Sequence, residues 1–106
     1  MYSKMDKATG NQVKQLQSQN QKLLVDFWAP WCNPCKALMP RLEAMENNYP
    51  HIKFVKVNVD ENMEYAQELG ISTVPTVIIY DGNTVINKSV GANVDSVYTK
   101  ILDTLL

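Results

Sequence analysis

Cysteine is nearly absent from this sequence: 106 residues contain two, both in one stretch, "WAPWCNPCK", Trp28 to Lys36. A network of disulfides is therefore excluded as the source of stability. It is not needed, because 45% of the residues are hydrophobic, enough for the core of a domain this size. Histidine occurs once. Two cysteines and one histidine fall short of the four ligands of a structural zinc site, so no metal centre is expected within one chain. Charge of one sign is not in excess: ten basic residues stand against eleven acidic ones, net −1, scattered along the chain. That excludes the basic stripe of a nucleic-acid binder. Long hydrophobic runs are missing too. The first 22 residues hold no apolar run of signal-peptide length, and no segment approaches a membrane span. There is no internal repeat and no long linker. The expectation is one domain over residues 1–106, a soluble cytoplasmic protein whose thiols are kept reduced.

What is present is a regular alternation of strand and helix patterns. "KLLVDFWA" (Lys22 to Ala29) is a nearly continuous apolar run, suited to a strand buried on both faces. "IKFVKVNV" (Ile52 to Val59) alternates and is rich in β-branched residues. "TVIIY" (Thr76 to Tyr80) and "TVINKSV" (Thr84 to Val90), joined through Asp81-Gly82, read as an antiparallel hairpin. Leu38, Leu42, Met45 and Tyr49 recur at helical spacing, with Pro40 expected to kink that helix rather than stop it. Asp60 or Asn62 could cap a short helix through Met63, Ala66 and Leu69, ended by Gly70. Asn93 could cap a last helix with the apolar stripe Val94, Val97, Tyr98, Ile101, Leu102 and Leu105, all read as core. A further helix falls around Gly10 to Gln19. Strands joined through helices should be parallel, giving an α/β fold with a mixed sheet covered on both faces.

The cysteine pair admits three readings. As a staple it does little: closing so short a loop contributes about 2 kcal/mol before strain. As a metal site it lacks ligands, and nothing brings His51 to Cys32. As a redox centre it agrees with its neighbours. Cys32 falls where a strand hands over to a helix, so unpaired N–H groups and the positive end of the helix dipole favour its thiolate. Pro34 fits the first helical turn, where a missing N–H costs nothing. Cys35 lies deeper, which makes Cys32 the attacking sulfur and Cys35 the resolving one. Asp26 is out of character in an apolar strand; a buried carboxylate there would have a raised pKa and could carry protons near neutrality, with Lys56 as an ion-pair partner or modulator. Trp28 reads as packing against the helix that follows. Trp31 reads as exposed, forming with Pro34, Val74, Pro75, Gly91 and Ala92 an apolar docking patch. The five methionines read as packing, Met39 being the candidate surface exception.

"VDFWAPWCNPCK", "VKVNVDEN", "GISTVPT", "DG" and "VGA", in that order and spacing, resemble the thioredoxin family over nearly the whole chain from Leu23 onward. The resemblance implies the three-layer α/β/α thioredoxin fold, with a mixed, mostly five-stranded sheet and about four helices. It implies a protein-disulfide reductase with no bound cofactor, whose redox-active Cys32–Cys35 disulfide takes electrons from NADPH through a flavin-dependent thioredoxin reductase. Implied substrates are disulfides of proteins such as ribonucleotide reductase, peroxiredoxin or methionine sulfoxide reductase, met by a monomer. Pro75 is implied to be a cis proline that leaves the Val74 backbone free to pair with a substrate. The resemblance also implies that Asp26 and Lys56 approach each other beneath the site. One departure is Asn33, where the family's usual motif has glycine. Two alternatives keep the fold: a redox-inactive binding module using the same patch, and a disulfide oxidase or isomerase.

Overall fold

A computed structural model describes residues 5–106. The elements run β1 (Asp6–Lys7), α1 (Gly10–Ser18), β2 (Lys22–Trp28), α2 (Asn33–Glu46), β3 (Lys53–Asn58), a 3₁₀ turn (Val59–Glu61), α3 (Met63–Glu68), β4 (Thr76–Asp81), β5 (Thr84–Val90) and α4 (Asp95–Asp103). The five strands make one mixed sheet in the order β1-β3-β2-β4-β5. With four α-helices among the described residues, this is the three-layer fold expected.

The central position of β2 follows from its composition. Leu23 to Phe27 are buried on both faces, so helices must cover both sides. On one face Leu24, Phe54, Val77 and Ile79 pack against Leu38 and Leu42 of α2 and Tyr98 and Leu102 of α4. On the other, Leu23, Val25, Phe27, Val55 and Ile78 pack against Val13 of α1 and Tyr65 of α3. Helix α2 continues through Pro40 without stopping.

Strand direction departs from expectation at one connection. β2 and β3, joined by α2, are parallel, but β4 is antiparallel to β2 although a helix precedes it. Length explains the difference. The 14 residues of α2 span about 21 Å and return the chain along a seven-residue strand. The six residues of α3 span about 9 Å, so the chain enters β4 at the end of the sheet where it left β3. β4 and β5 form the expected antiparallel hairpin through Gly82, whose φ is 58°. β1, with two residues beside Val55 and Lys56, is too short to show a pattern.

The expected caps are also redistributed. Asn62 stands at the N-cap of α3, yet its side chain donates to Asn58 O (2.9 Å) and accepts from Gly10 N (3.1 Å), leaving α3 without a side-chain cap. Asn93 does not cap α4; the N-cap is Val94, and the Asn93 amide donates to Val90 O and Gly91 O instead. Val94 and Val97 are exposed, so the α4 stripe is wider than the core it serves. Gly70, at φ 70°, ends α3 as expected. Among the described methionines, Met63 is the surface exception and Met39 is half-buried; Met1 lies outside the described residues.

Gly10 opens α1 directly against Tyr65, and a Cβ there would sit 2.5 to 2.9 Å from the Tyr65 Cβ and ring. Alanine for glycine ordinarily stabilises a helix by up to about 1 kcal/mol. Here the sign is expected to reverse: Gly10→Ala should lower stability by about 1–3 kcal/mol. Urea unfolding checks this, as a lower midpoint at unchanged slope.

Candidate functional site

The site forms where β2 ends and α2 begins. Cys32 is the N-cap of α2, with Asn33 and Pro34 as its first two helical residues. Proline is at home there because the first-turn amides have no intrahelical acceptor. The amide of Cys35 is one of those orphans, and it donates to Cys32 Sγ at 3.2 Å. The sulfur thus occupies the place of a capping oxygen, at the positive end of the helix. Cys32 and Cys35 are joined as a disulfide with Cα atoms 5.3 Å apart. Cys35 is fully buried and Cys32 is 3% exposed, so the expected ranking of access holds by a narrow margin.

Three loops converge on this pair. The Val74–Pro75 peptide bond is cis, as the resemblance implied, and Val74 O lies 3.7 Å from Cys32 Sγ. Val74 stands outside the sheet ladder, which starts at Thr76. Gly91, at φ 91°, donates its amide to Pro75 O at 2.8 Å, which carries the Gly91-Ala92 turn to the same end of the sheet. Only glycine adopts that φ at no steric cost. Trp28 packs half-buried with Ala29, Val59 and Val74 around the two cysteines. Trp31 is 67% exposed, but it is not loose: its indole Nε1 donates to Asp60 Oδ2 at 3.0 Å. Asp60, read from the sequence only as a helix cap, is therefore a site neighbour; its place just beyond the end of β3 was the available signal. Asn33, Pro34, Lys36 and Ala92 are exposed. His51 is exposed in the turn before β3, and nothing ties it to the cysteines.

Asp26 lies in β2 on the α2 side of the sheet, fully buried, and neither carboxylate oxygen has a hydrogen-bond partner. Burial pushes its pKa from 3.8 up to about 7, and the positive charge of Lys56 pulls it partly back. Lys56 is its direct neighbour across the β2–β3 ladder. The two do not form an ion pair, which sets aside the ion-pair alternative for Lys56. The Lys56 ammonium lies 4.0 Å from Met39 Sδ and 5.8 Å from the centre of the Trp28 ring instead. No group of three or more ligating side chains suited to a metal ion occurs among the described residues. Nor is any described helix long and apolar enough to cross a membrane.

The chain thus holds a closed disulfide at a helix mouth and, in the strand that leads to it, an unpaired buried acid, and it is similar over its length to known proteins. The thioredoxin family profile matches residues 4–104. Mitochondrial thioredoxin-3 of Saccharomyces cerevisiae is 38% identical over 93 residues, covering 87% of this chain and 73% of that protein. Thioredoxin of Bacillus subtilis is 43% identical over 70 residues, covering 65% and 67%. The solved structure of the oxidised yeast mitochondrial protein superposes with a TM-score of 0.84 at 35% identity, over 93% of this chain and 94% of that one. A Plasmodium falciparum thioredoxin gives 0.87 at 30% identity, over 96% and 100%. The chain belongs to the thioredoxin family and, with its Cys32–Cys35 pair, is an oxidoreductase of dithiol–disulfide exchange.

Proposed function

We propose that the chain is a general protein-disulfide reductase in which Cys32 attacks, Cys35 resolves and Asp26 accepts the proton of Cys35. The observation that supports this most is the Cys32 sulfur acting as N-cap of α2 with Cys35 directly behind it. In the reduced form the helix mouth favours the Cys32 thiolate. It attacks one sulfur of a substrate disulfide, the other substrate sulfur leaves as a thiolate, and a mixed disulfide forms. Asp26 then takes the proton from the Cys35 thiol. Cys35 attacks Cys32, and the second substrate thiolate leaves. Two electrons have passed to the substrate, and the chain is left in the disulfide form described above. A base with a pKa of about 7 is suited to this near neutrality. A module that only binds would have no use for an acid buried without partners in the strand that leads to a disulfide.

Trp31, Val74, Pro75, Gly91 and Ala92 make the docking surface, with the Val74 backbone pairing with an extended substrate segment. Asn33, Pro34, Pro75 and Lys56 modulate the reaction. Electrons return from NADPH through a flavin-dependent thioredoxin reductase, with no cofactor held by the chain itself. Ribonucleotide reductase, peroxiredoxin and methionine sulfoxide reductase are the substrates in view. For peroxiredoxin, a similar solved structure concerns thiol resolution of a yeast mitochondrial 1-Cys peroxiredoxin via glutathione and thioredoxin systems. We place the protein in the cytoplasm as a monomer of one domain; the likeness to a mitochondrial relative makes a reducing organelle the alternative.

Insulin reduction by dithiothreitol tests the activity: the protein should accelerate it, and no acceleration would leave only the binding module. Cys35→Ser should accumulate mixed disulfides with protein substrates and Cys32→Ser none, read on non-reducing gels; the opposite pattern would exchange their roles.

Asp26→Asn should slow turnover near pH 7 by about tenfold and remove the inflection near pH 7 from the rate profile; the full effect of a general base is larger, but water can stand in. The same substitution has a thermodynamic signature. The folded state holds the Asp26 proton more tightly than the unfolded chain does, because its pKa is raised from 3.8 to about 7. That contribution to stability is complete below pH 3.8 and is lost as pH rises through 7. Asp26→Asn should therefore be more stable than the native chain above pH 7, by up to about 4 kcal/mol, and converge with it near pH 4. Denaturant curves at the two pH values check this.

A further inference from the structure

A lysine placed directly across a parallel ladder from a buried aspartate should close an ion pair, because both side chains leave the sheet on one face. Asp26 and Lys56 stand in that register and do not pair. Both carboxylate oxygens lack a partner, while the ammonium lies 4.0 Å from Met39 Sδ and 5.8 Å from the Trp28 ring centre. Lys56 and Met39 are each half-buried. The half-buried lysine thus lies along an apolar wall, its ammonium against Met39 and Trp28. The wall has two panels. Trp28, from the end of β2, offers a π face that attracts a cation. Met39, from α2, offers a polarisable sulfur that is a weak acceptor.

We propose that Met39 is a positioning residue for proton transfer: its thioether, with the Trp28 ring, holds the Lys56 ammonium beside Asp26 without letting it close onto the carboxylate. A full ion pair would fix Asp26 as a permanent anion and remove it as an acceptor of protons near neutrality. An absent lysine would leave the carboxyl with burial alone, protonated too firmly to act. The position held by Met39 keeps the charge close enough to moderate the effect of burial and too far to cancel it.

The surroundings leave Lys56 as the charge to be managed. Across β2 from Asp26, β4 presents Val77. The side chains that α2 and α4 place in the core on this face are aliphatic residues, methionines and Tyr98. The Tyr98 hydroxyl is already engaged by Gly91 O and Asn93 N. Cys35 is the other titratable group of α2 near the site, and it does not titrate while the disulfide is closed.

The inference rests on Asp26 as the proton carrier, and its test separates the two. The Asp26 carboxyl carbon is followed by NMR against pH in the full chain with the disulfide closed, in the native protein, Met39→Leu, Lys56→Met and the double variant. Leucine matches methionine in volume, an exchange that cores tolerate. Met39→Ala, run through the same cycle, serves if the leucine variant does not fold. Met39→Leu should lower the Asp26 midpoint by about one pH unit or more as Lys56 closes onto it. In the Lys56→Met background the same substitution should do nothing. An unmoved or raised midpoint overturns the proposal, and so does an equal shift in both backgrounds, which would mean that Met39 acts by packing alone. A native Asp26 that titrates like an ordinary aspartate would sink the proton-carrier reading itself.

Discussion

Everything at the site hangs on β2 being sealed. Its five central residues have no exposed face, and both of its edges are paired, to β3 and to β4. A strand in that position can end only at the rim of the sheet, and its end delivers Trp28, Ala29 and Cys32 to the mouth of α2. Open α/β sheets gather their sites beyond strand ends for this reason: the rim is where backbone amides and carbonyls run out of partners. Here one unspent amide, that of Cys35, is met by a sulfur. Two other loops are drawn to the same rim, one by the start of β4 and one by the Gly91 to Pro75 bond. The rigid centre thus builds a reactive edge.

The same sealing sets the character of Asp26. A carboxylate in the middle of a sheet loses its water and finds no hydrogen bond in exchange, an arrangement that works against stability wherever the group is charged. A strand selected for stability alone would carry an aliphatic residue there. The surrounding packing tolerates the acid because the neutral form is accessible near physiological pH. Stability and chemistry therefore pull in opposite directions at one residue, and the site needs only the few kcal/mol that the two helix-covered cores can spare.

Much of this was legible beforehand, for physical reasons that differ from element to element. β2 and β5 were readable because continuous burial and a tight Gly82 turn leave local marks. The redox pair was readable because Cys-x-x-Cys at a strand-to-helix junction leaves little else for the sulfurs to do. Asp26 was readable because a charge in an apolar run is conspicuous. What escaped depends on contacts distant in sequence. No periodicity says that α3 is too short to carry the chain back across the sheet. The Asn62 side chain has three donor or acceptor uses within reach, and the choice of Asn58 and Gly10 over the helix end is decided by α1, 52 residues away. Trp31 was placed on the surface correctly, but its bond to Asp60 spans 29 residues. Lys56 could be read as an ion-pair partner or a modulator of Asp26 because charge complementarity is visible in one dimension; the sulfur beside its ammonium is visible only in three.

Asn33 shows how far backbone geometry can carry such a question. Among the described residues, positive φ is confined to Asn20, Gly70, Gly82 and Gly91. Position 33 is an ordinary first helical residue with an exposed side chain. The backbone there has no need of glycine, so a side chain brings no strain and disturbs no packing. Asparagine is even the better helix former of the two. Asn33 therefore adds an exposed amide one residue after Cys32 without making a demand on the fold.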